Sequence, residues 1–243
     1  MDYKIIEPEE KHEGKGAKVK RLFPTKYFSH LDPFVLLDEF FVESDKGFPT
    51  HPHGGFEAIT YMVDGYFRHK DNLGNDSTIG PGGLQRFTAG HRIEHSEMPR
   101  KGKACHGFQL WINLPKRLKD IEPSYQKVDS DVIPDKKISD GNIKILVGDN
   151  SPTKLNTDVL YQDIHLRERS SLEIKLSKNH NNLFYIYRGK ITIDNFADLG
   201  RSTGFIPRDI DKITIESDEG GRLLFISGKP HNQKINLRGS FVE

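Results

Sequence analysis

The chain has 243 residues, enough for one large or two compact domains, and its 36 Lys and Arg against 35 Asp and Glu leave a net charge of +1. That balance removes the uniform positive field a nucleic-acid or anionic-membrane binder would use, and the single cysteine, Cys105, excludes an internal disulfide or a thiolate-rich metal site. The opening MDYKIIEPEEKHEGKG lacks the apolar stretch of a secretory signal and no apolar run reaches the ~20 residues of a membrane helix, so a soluble protein of the reducing cytoplasm is expected.

Short apolar or alternating runs follow one another along the chain: FVLLDEFFV, EAITYMV, GFQLWINL, NIKILVG, LEIKLS, NLFYIYRGKITI, KITIES and RLLFIS. Their Ile, Val, Phe, Tyr and Thr content suits half-buried strands, and the connections DNLGND, GPGG, NHNN and DEGGR suit turns. Helical turns are expected only around Pro115 to Tyr125 and Ala197 to Arg201. Many strands with regular turn spacing predict an all-β chain of sandwich or barrel type. Lys116 to Asn142 is polar and aperiodic, as an interdomain connection would be, which places the boundary near Ser130 and gives domains 1–130 and 131–243. Tyr61-Met-Val-Asp-Gly65 is echoed by Tyr185-Ile-Tyr-Arg-Gly189, a hint of duplication.

The first domain carries the chemistry. His51 and His53 in GFPTHPHGGFE stand two apart, so in extended chain both imidazoles leave the same face. His95 and Glu97 in TAGHRIEHSEMP repeat that spacing. Three imidazoles and a carboxylate form a ligand set for one divalent transition ion among Fe, Mn, Ni, Co, Cu and Zn. Glu57 shares strand parity with His51 and His53, and spacing alone leaves it as an alternative to Glu97. Phe56, Phe87 and Met98 are candidates for an apolar wall, and His106 for a place in the cavity with Phe108 and Leu110, although a hydrogen-bonded structural role suits it better. His69 and His91 read as solvent or rim residues, KRLK (Lys116 to Lys119) as a solvated loop, and Cys105 as an inert thiol.

LDPFVLLDEF, GFPTHPHGGFE, TAGHRIEHSEMP and HGFQLWINLP, in that order, resemble the signatures of the pirin family within the cupin superfamily; YIYRG and SGKP…GSFV extend the likeness to the second half. The resemblance implies a bicupin, two antiparallel β-barrels packed face to face, with metal only in the first. Family ligands fall on His51, His53, His95 and Glu97, with iron(II) the leading ion, and Glu57 becomes an inward group that orients a histidine or water. Gly54 and the His91-Arg92 pair depart from the family pattern, where an Arg and an Arg-Gly pair are usual. The second half holds His165, His180 and His231 but no paired His/Glu motif, so no second metal site is expected.

Three functions follow from this reading. The first is a metal-dependent dioxygenase that cleaves an aromatic flavonol such as quercetin, with Glu97 or Glu57 taking the hydroxyl proton. The second is a metal- or redox-responsive binding protein that engages a protein partner as a cofactor of transcription, without direct nucleic-acid or membrane contact. The third, a sugar-phosphate isomerase, would need Arg68, Lys70 and Arg86 in the cavity.

Overall fold

The alternating runs become strands in the computed structural model, which describes residues 2–194 and 197–243. The chain forms two compact units. One comprises Glu9–Val132, Leu155–Thr157 and His231–Glu243; the other comprises Met1–Pro8, Ile133–Lys154 and Asp158–Pro230. Each terminal segment therefore belongs with the unit built mainly from the opposite half of the chain.

The first unit has a seven-stranded antiparallel sheet in the order Ser124–Val128, Leu84–Thr88, Phe56–Asp64, Cys105–Asn113, Phe34–Val42, Ala17–Phe23, Glu9–Glu13. A four-stranded sheet, in the order Phe48–His53, Ile93–Pro99, Phe67–Asp71, Asp76–Ile79, completes it. Phe56–Asp64 is buried along most of its length because strands flank it on both edges and side chains cover both faces. Ala17, Val19, Phe40, Met62 and Phe67 form one apolar cluster of this unit; Val35, Phe56, Ala58, Phe87, Ile93 and Val242 form another.

The second unit repeats the plan. Its sheets run Asp2–Ile6, Thr203–Arg208, Asn181–Gly189, Gly221–Gly228, Val159–Leu166, Gly141–Val147, Asp135–Ile138 and Ser170–Lys175, Lys212–Ser217, Ile191–Ile193, Ala197–Leu199. The strands that carry the two Tyr…Gly echoes occupy the same place in the two seven-stranded sheets. In sheet order, the strands matching Phe48–His53 and Ile93–Pro99 are Ser170–Lys175 and Lys212–Ser217. In place of histidines these strands carry Ile174, Ile213 and Ile215 in the unit's apolar core, with Leu172 packed against it.

Two expectations need correction. Ala197–Arg201 does not form a helical turn: Ala197–Leu199 is a strand paired with Ile191–Ile193, and the Ile191–Leu199 pair buries both side chains, which outweighs local preference. The polar stretch from Lys116 to Asn142 is more than a connection. It holds 3-10 turns at Lys116–Leu118 and Ser130–Val132 and the outermost strands Ser124–Val128 and Asp135–Ile138, whose polar residues suit sheet edges. No helix among the described residues is long and apolar enough to cross a membrane.

Candidate metal centre

Phe48–His53 pairs antiparallel with Ile93–Pro99, setting His95 opposite His51 and Ile93 opposite His53. The His-x-His spacing and this register bring three rings together. Centroids lie 4.5 Å apart for His51 and His53, 4.7 Å for His51 and His95, and 4.9 Å for His53 and His95. One ring nitrogen from each falls within 4.8 Å of the others. Glu97, two residues along the strand, forms a second such group with His95 and His69.

Hydrogen bonds set the direction of these groups. His51 Nδ1 lies 2.7 Å from Pro49 O and His53 Nδ1 3.2 Å from Ser240 O. A carbonyl can only accept, so each imidazole donates from Nδ1 and keeps its lone pair on Nε2. His95 Nε2 is buried and has no hydrogen-bond partner among the described residues. Burial, reinforced by the neighbouring His51, pushes the His53 pKa down to about 3. Burial likewise holds His95 well below the usual histidine range, with His53, His51 and His69 adding to the effect. Both rings are neutral at pH 7, the form a metal requires.

The Glu97 carboxylate is 2% exposed. Gln85 Nε2 donates to Oε1 at 2.5 Å and Gln109 Nε2 to Oε2 at 2.9 Å. The Thr60 hydroxyl stands 2.8 Å from Glu97 Oε1 and 2.9 Å from Gln109 Oε1, and gives its single hydrogen to one of them. Phe87 stacks on His53 with the rings 11° from parallel, and Phe56 packs edge-on at 5.1 Å. An unpartnered buried imidazole nitrogen, two further neutral lone pairs and a fixed carboxylate fit a divalent ion better than they fit a core left empty.

A cavity of about 810 Å³ opens onto His51, His53 and Glu97. Its apolar wall includes Val19, Leu36, Phe40, Phe48 and Trp111. Arg21, held bidentate by Asp38 at 2.8 and 2.7 Å and bonded to Glu13 at 2.9 Å, supplies a polar flank. Leu237, Gly239 and Ser240 close another side. The C-terminal segment reaches the site because of the glycine pair after His53. A Cβ on Gly54 would meet the Phe241 ring at 2.8 Å, and one on Gly55, whose φ is +81°, would overlap Val242 O.

Other residues fall elsewhere than the sequence suggested. Glu57 is fully buried but on the opposite face of its strand from Thr60, where it accepts from Thr88 Oγ1 at 2.8 Å, Asn156 N at 2.9 Å and Asn156 Nδ2 at 3.0 Å. It is outside both ligand groups. The turn at Gly54 and Gly55 separates it from the His-x-His strand and breaks the parity that linked them. Met98 alternates away from His95 and Glu97 and packs near Gly47. On Cys105–Asn113, Gln109 and Trp111 face the cavity rather than Phe108 and Leu110, while His106 bonds Glu39 at 2.9 Å and stacks on Phe41. His69 is not at the rim: it is fully buried, bonded to Asp71 and 3.3 Å from His95. The period-2 pattern of Phe67-Arg-His-Lys-Asp71 is the signal for it, with charges at 68 and 70 outward. Arg68 and Lys70 pair with Asp76 at an exposed edge, and Arg86 bonds Thr88 and Ser124.

Lys119 belongs to no solvated loop. Its Nζ donates to Gly55 O, Asn113 Oδ1 and Val242 O at 2.8 to 3.0 Å, tying the C-terminal segment to the turn beyond His53. Lys119→Met is expected to lower stability by about 1–3 kcal/mol, since three acceptors lose their donor, read as a lower urea midpoint. Burial pushes the Cys105 thiol up to about 12, so its alkylation at pH 8 is expected to be at least about 100-fold slower in the folded than in the unfolded chain, measured with iodoacetamide.

Two units of one strand plan, one holding clustered imidazoles and a carboxylate and the other apolar residues on the corresponding strands, define a two-domain cupin with a candidate metal centre in one domain. The pirin family model matches residues 16–112, and the model for the pirin C-terminal cupin domain matches residues 161–243. The chain belongs to the pirin family. It is 35% identical to a pirin-like protein of Caulobacter vibrioides over 98% of this chain and 91% of the relative, and 35% identical to a pirin-like protein of Solanum lycopersicum over 95% and 82%. Among solved structures, a quercetin 2,3-dioxygenase from Acinetobacter baumannii superposes with a TM-score of 0.89 at 25% identity, covering 98% of this chain and 90% of that one.

Proposed function

We propose that the chain is a metal-dependent dioxygenase acting on a flavonol or related hydroxylated aromatic, with His51, His53, His95 and Glu97 as the ligands of one divalent ion. The observation that carries this reading is the convergence of three imidazoles, those of His53 and His95 buried and of lowered basicity, beside a fixed carboxylate at an apolar cavity of about 810 Å³. That volume lies in the range of small-molecule sites. The similarity to the Acinetobacter quercetin 2,3-dioxygenase supports it. Iron(II) is the proposed ion, on the borderline-to-hard donor set.

When bound, the ion supplies a Lewis acid that favours the deprotonated form of a coordinated hydroxyl. The chain does the rest. Phe40, Phe48 and Trp111 offer flat apolar surface to an aromatic ring and keep water from it. Glu97, which lines the cavity beside the imidazoles, is the proposed acceptor of the hydroxyl proton, and the amides of Gln85 and Gln109 fix the direction of its carboxylate. Arg21, with Asp38 and Glu13 on its guanidinium, presents polar atoms to substituents farther out.

The test is loss of quercetin absorbance by protein loaded in turn with each first-row divalent ion, under air and under argon. Bleaching that needs both protein-bound metal and oxygen is expected. Its absence with every ion would reject the proposed activity.

A further inference from the structure

We propose that Asp71 and His69 are positioning residues that hold His95 with its proton on Nδ1, so that Nε2 presents its lone pair to the metal. The inference rests on the reading of His95 as a ligand. The side chain of Asp71 is fully buried. Oδ1 accepts from the backbone N–H groups of Leu73 at 3.0 Å and Asn75 at 2.9 Å, and Oδ2 from Asn75 Nδ2 at 2.9 Å. A carboxylate surrounded by donors is an acceptor only. The His69 Nε2, 2.9 Å from Oδ2, therefore carries the hydrogen, and the lone pair of that ring sits on Nδ1.

His69 Nδ1 faces His95 Nδ1 at 3.3 Å. Two ring nitrogens at that distance share one hydrogen, and His95 must supply it. Its remaining nitrogen, Nε2, is then a lone-pair donor, and this is the buried atom without a partner. The His69 ring is held against rotation by stacking on Tyr125, with centroids 4.2 Å apart and planes 19° from parallel. Tyr125 in turn donates from its hydroxyl to Gln85 Oε1 at 3.2 Å, which turns the Gln85 amide hydrogens toward Glu97. One hairpin, Phe67–Asp71 and the turn after it, thus supports two neighbouring ligands. Groups of this kind fix the orientation of a ligating imidazole and raise its basicity.

The test uses the full chain and two readouts. In the metal-free protein, long-range 15N correlation spectra should show His95 protonated at Nδ1. In chelator competition with zinc(II), His69→Leu and Asp71→Asn should weaken binding by about 10–100-fold. His69→Gln should stay within about threefold of the parent, because its amide oxygen can accept from His95 while its NH2 donates to Asp71. Wild-type affinity in a folded His69→Leu, or a His95 proton on Nε2, would overturn the proposal. So would a loss in His69→Leu as deep as in His95→Ala and not restored by glutamine, which would make His69 itself a ligand. If His69→Leu does not fold, the glutamine and Asp71→Asn variants and the wild-type spectrum still decide. Zinc retained at the site in His95→Ala would reject the ligand reading instead, leaving the proton arrangement to the spectrum.

Discussion

Glu97→Gln is expected to weaken metal binding by at least about 100-fold, whereas Glu57→Gln leaves it unchanged; a loss above that of an outer-shell change is what removal of a charged ligand should cost. The two carboxylates are both buried and both surrounded by donors, so the contrast isolates position from chemistry. At Glu97, an amide must turn one NH2 toward Gln85 or Gln109, each of which already presents an NH2. That places donor against donor and removes the negative charge from the ligand group. At Glu57 the same conflict arises against Thr88 and Asn156, on the other face of the sheet. Each variant is expected to lose about 1–3 kcal/mol of stability. Only the first should lose metal, as read by chelator competition; equal losses of metal in both would show that the carboxylate was wrongly assigned.

The metal-free protein is expected to lose stability as the pH falls from about 6.5 to about 3. An imidazole in the unfolded chain takes its proton near pH 6.5. In the fold, burial pushes His53 down to about 3 and His95 in the same direction. Above pH 6.5 these rings are neutral in both states and contribute no slope. Between the two values the unfolded chain binds more protons, so acid favours unfolding, and the loss is complete once the folded ring also titrates. From His53 alone the full change is on the order of 5 kcal/mol. Urea midpoints of metal-free protein at pH 7 and pH 4 measure it. A His53→Leu variant should show a shallower profile, and identical profiles would contradict the burial of a neutral His53. Metal release follows the same direction, because protons compete for the same nitrogens.

Much of this was legible in the sequence, for identifiable reasons. The His-Pro-His and His-Ser-Glu spacings survive folding because each lies within one uninterrupted strand, where period 2 holds. Glu57 was misplaced because parity was carried across Gly54 and Gly55, where the strand ends. Gln109 and Trp111 were passed over for Phe108 and Leu110 because Cys105–Asn113 is a central strand buried on both faces, so apolar character does not reveal which face meets the cavity. Ser240, which orients His53, lies 187 residues away and carries no local signal. Asn156 reaches Glu57 across a similar gap of 99 residues. Such long-range partners are fixed by topology, which residue spacing does not encode.

The most direct test is elemental analysis of protein purified without chelator, compared with the His51→Ala, His95→Ala double variant. The account predicts no more than one transition-metal ion per chain in the parent and none in a folded double variant. Metal kept at the parental ratio in that variant would contradict the ligand set.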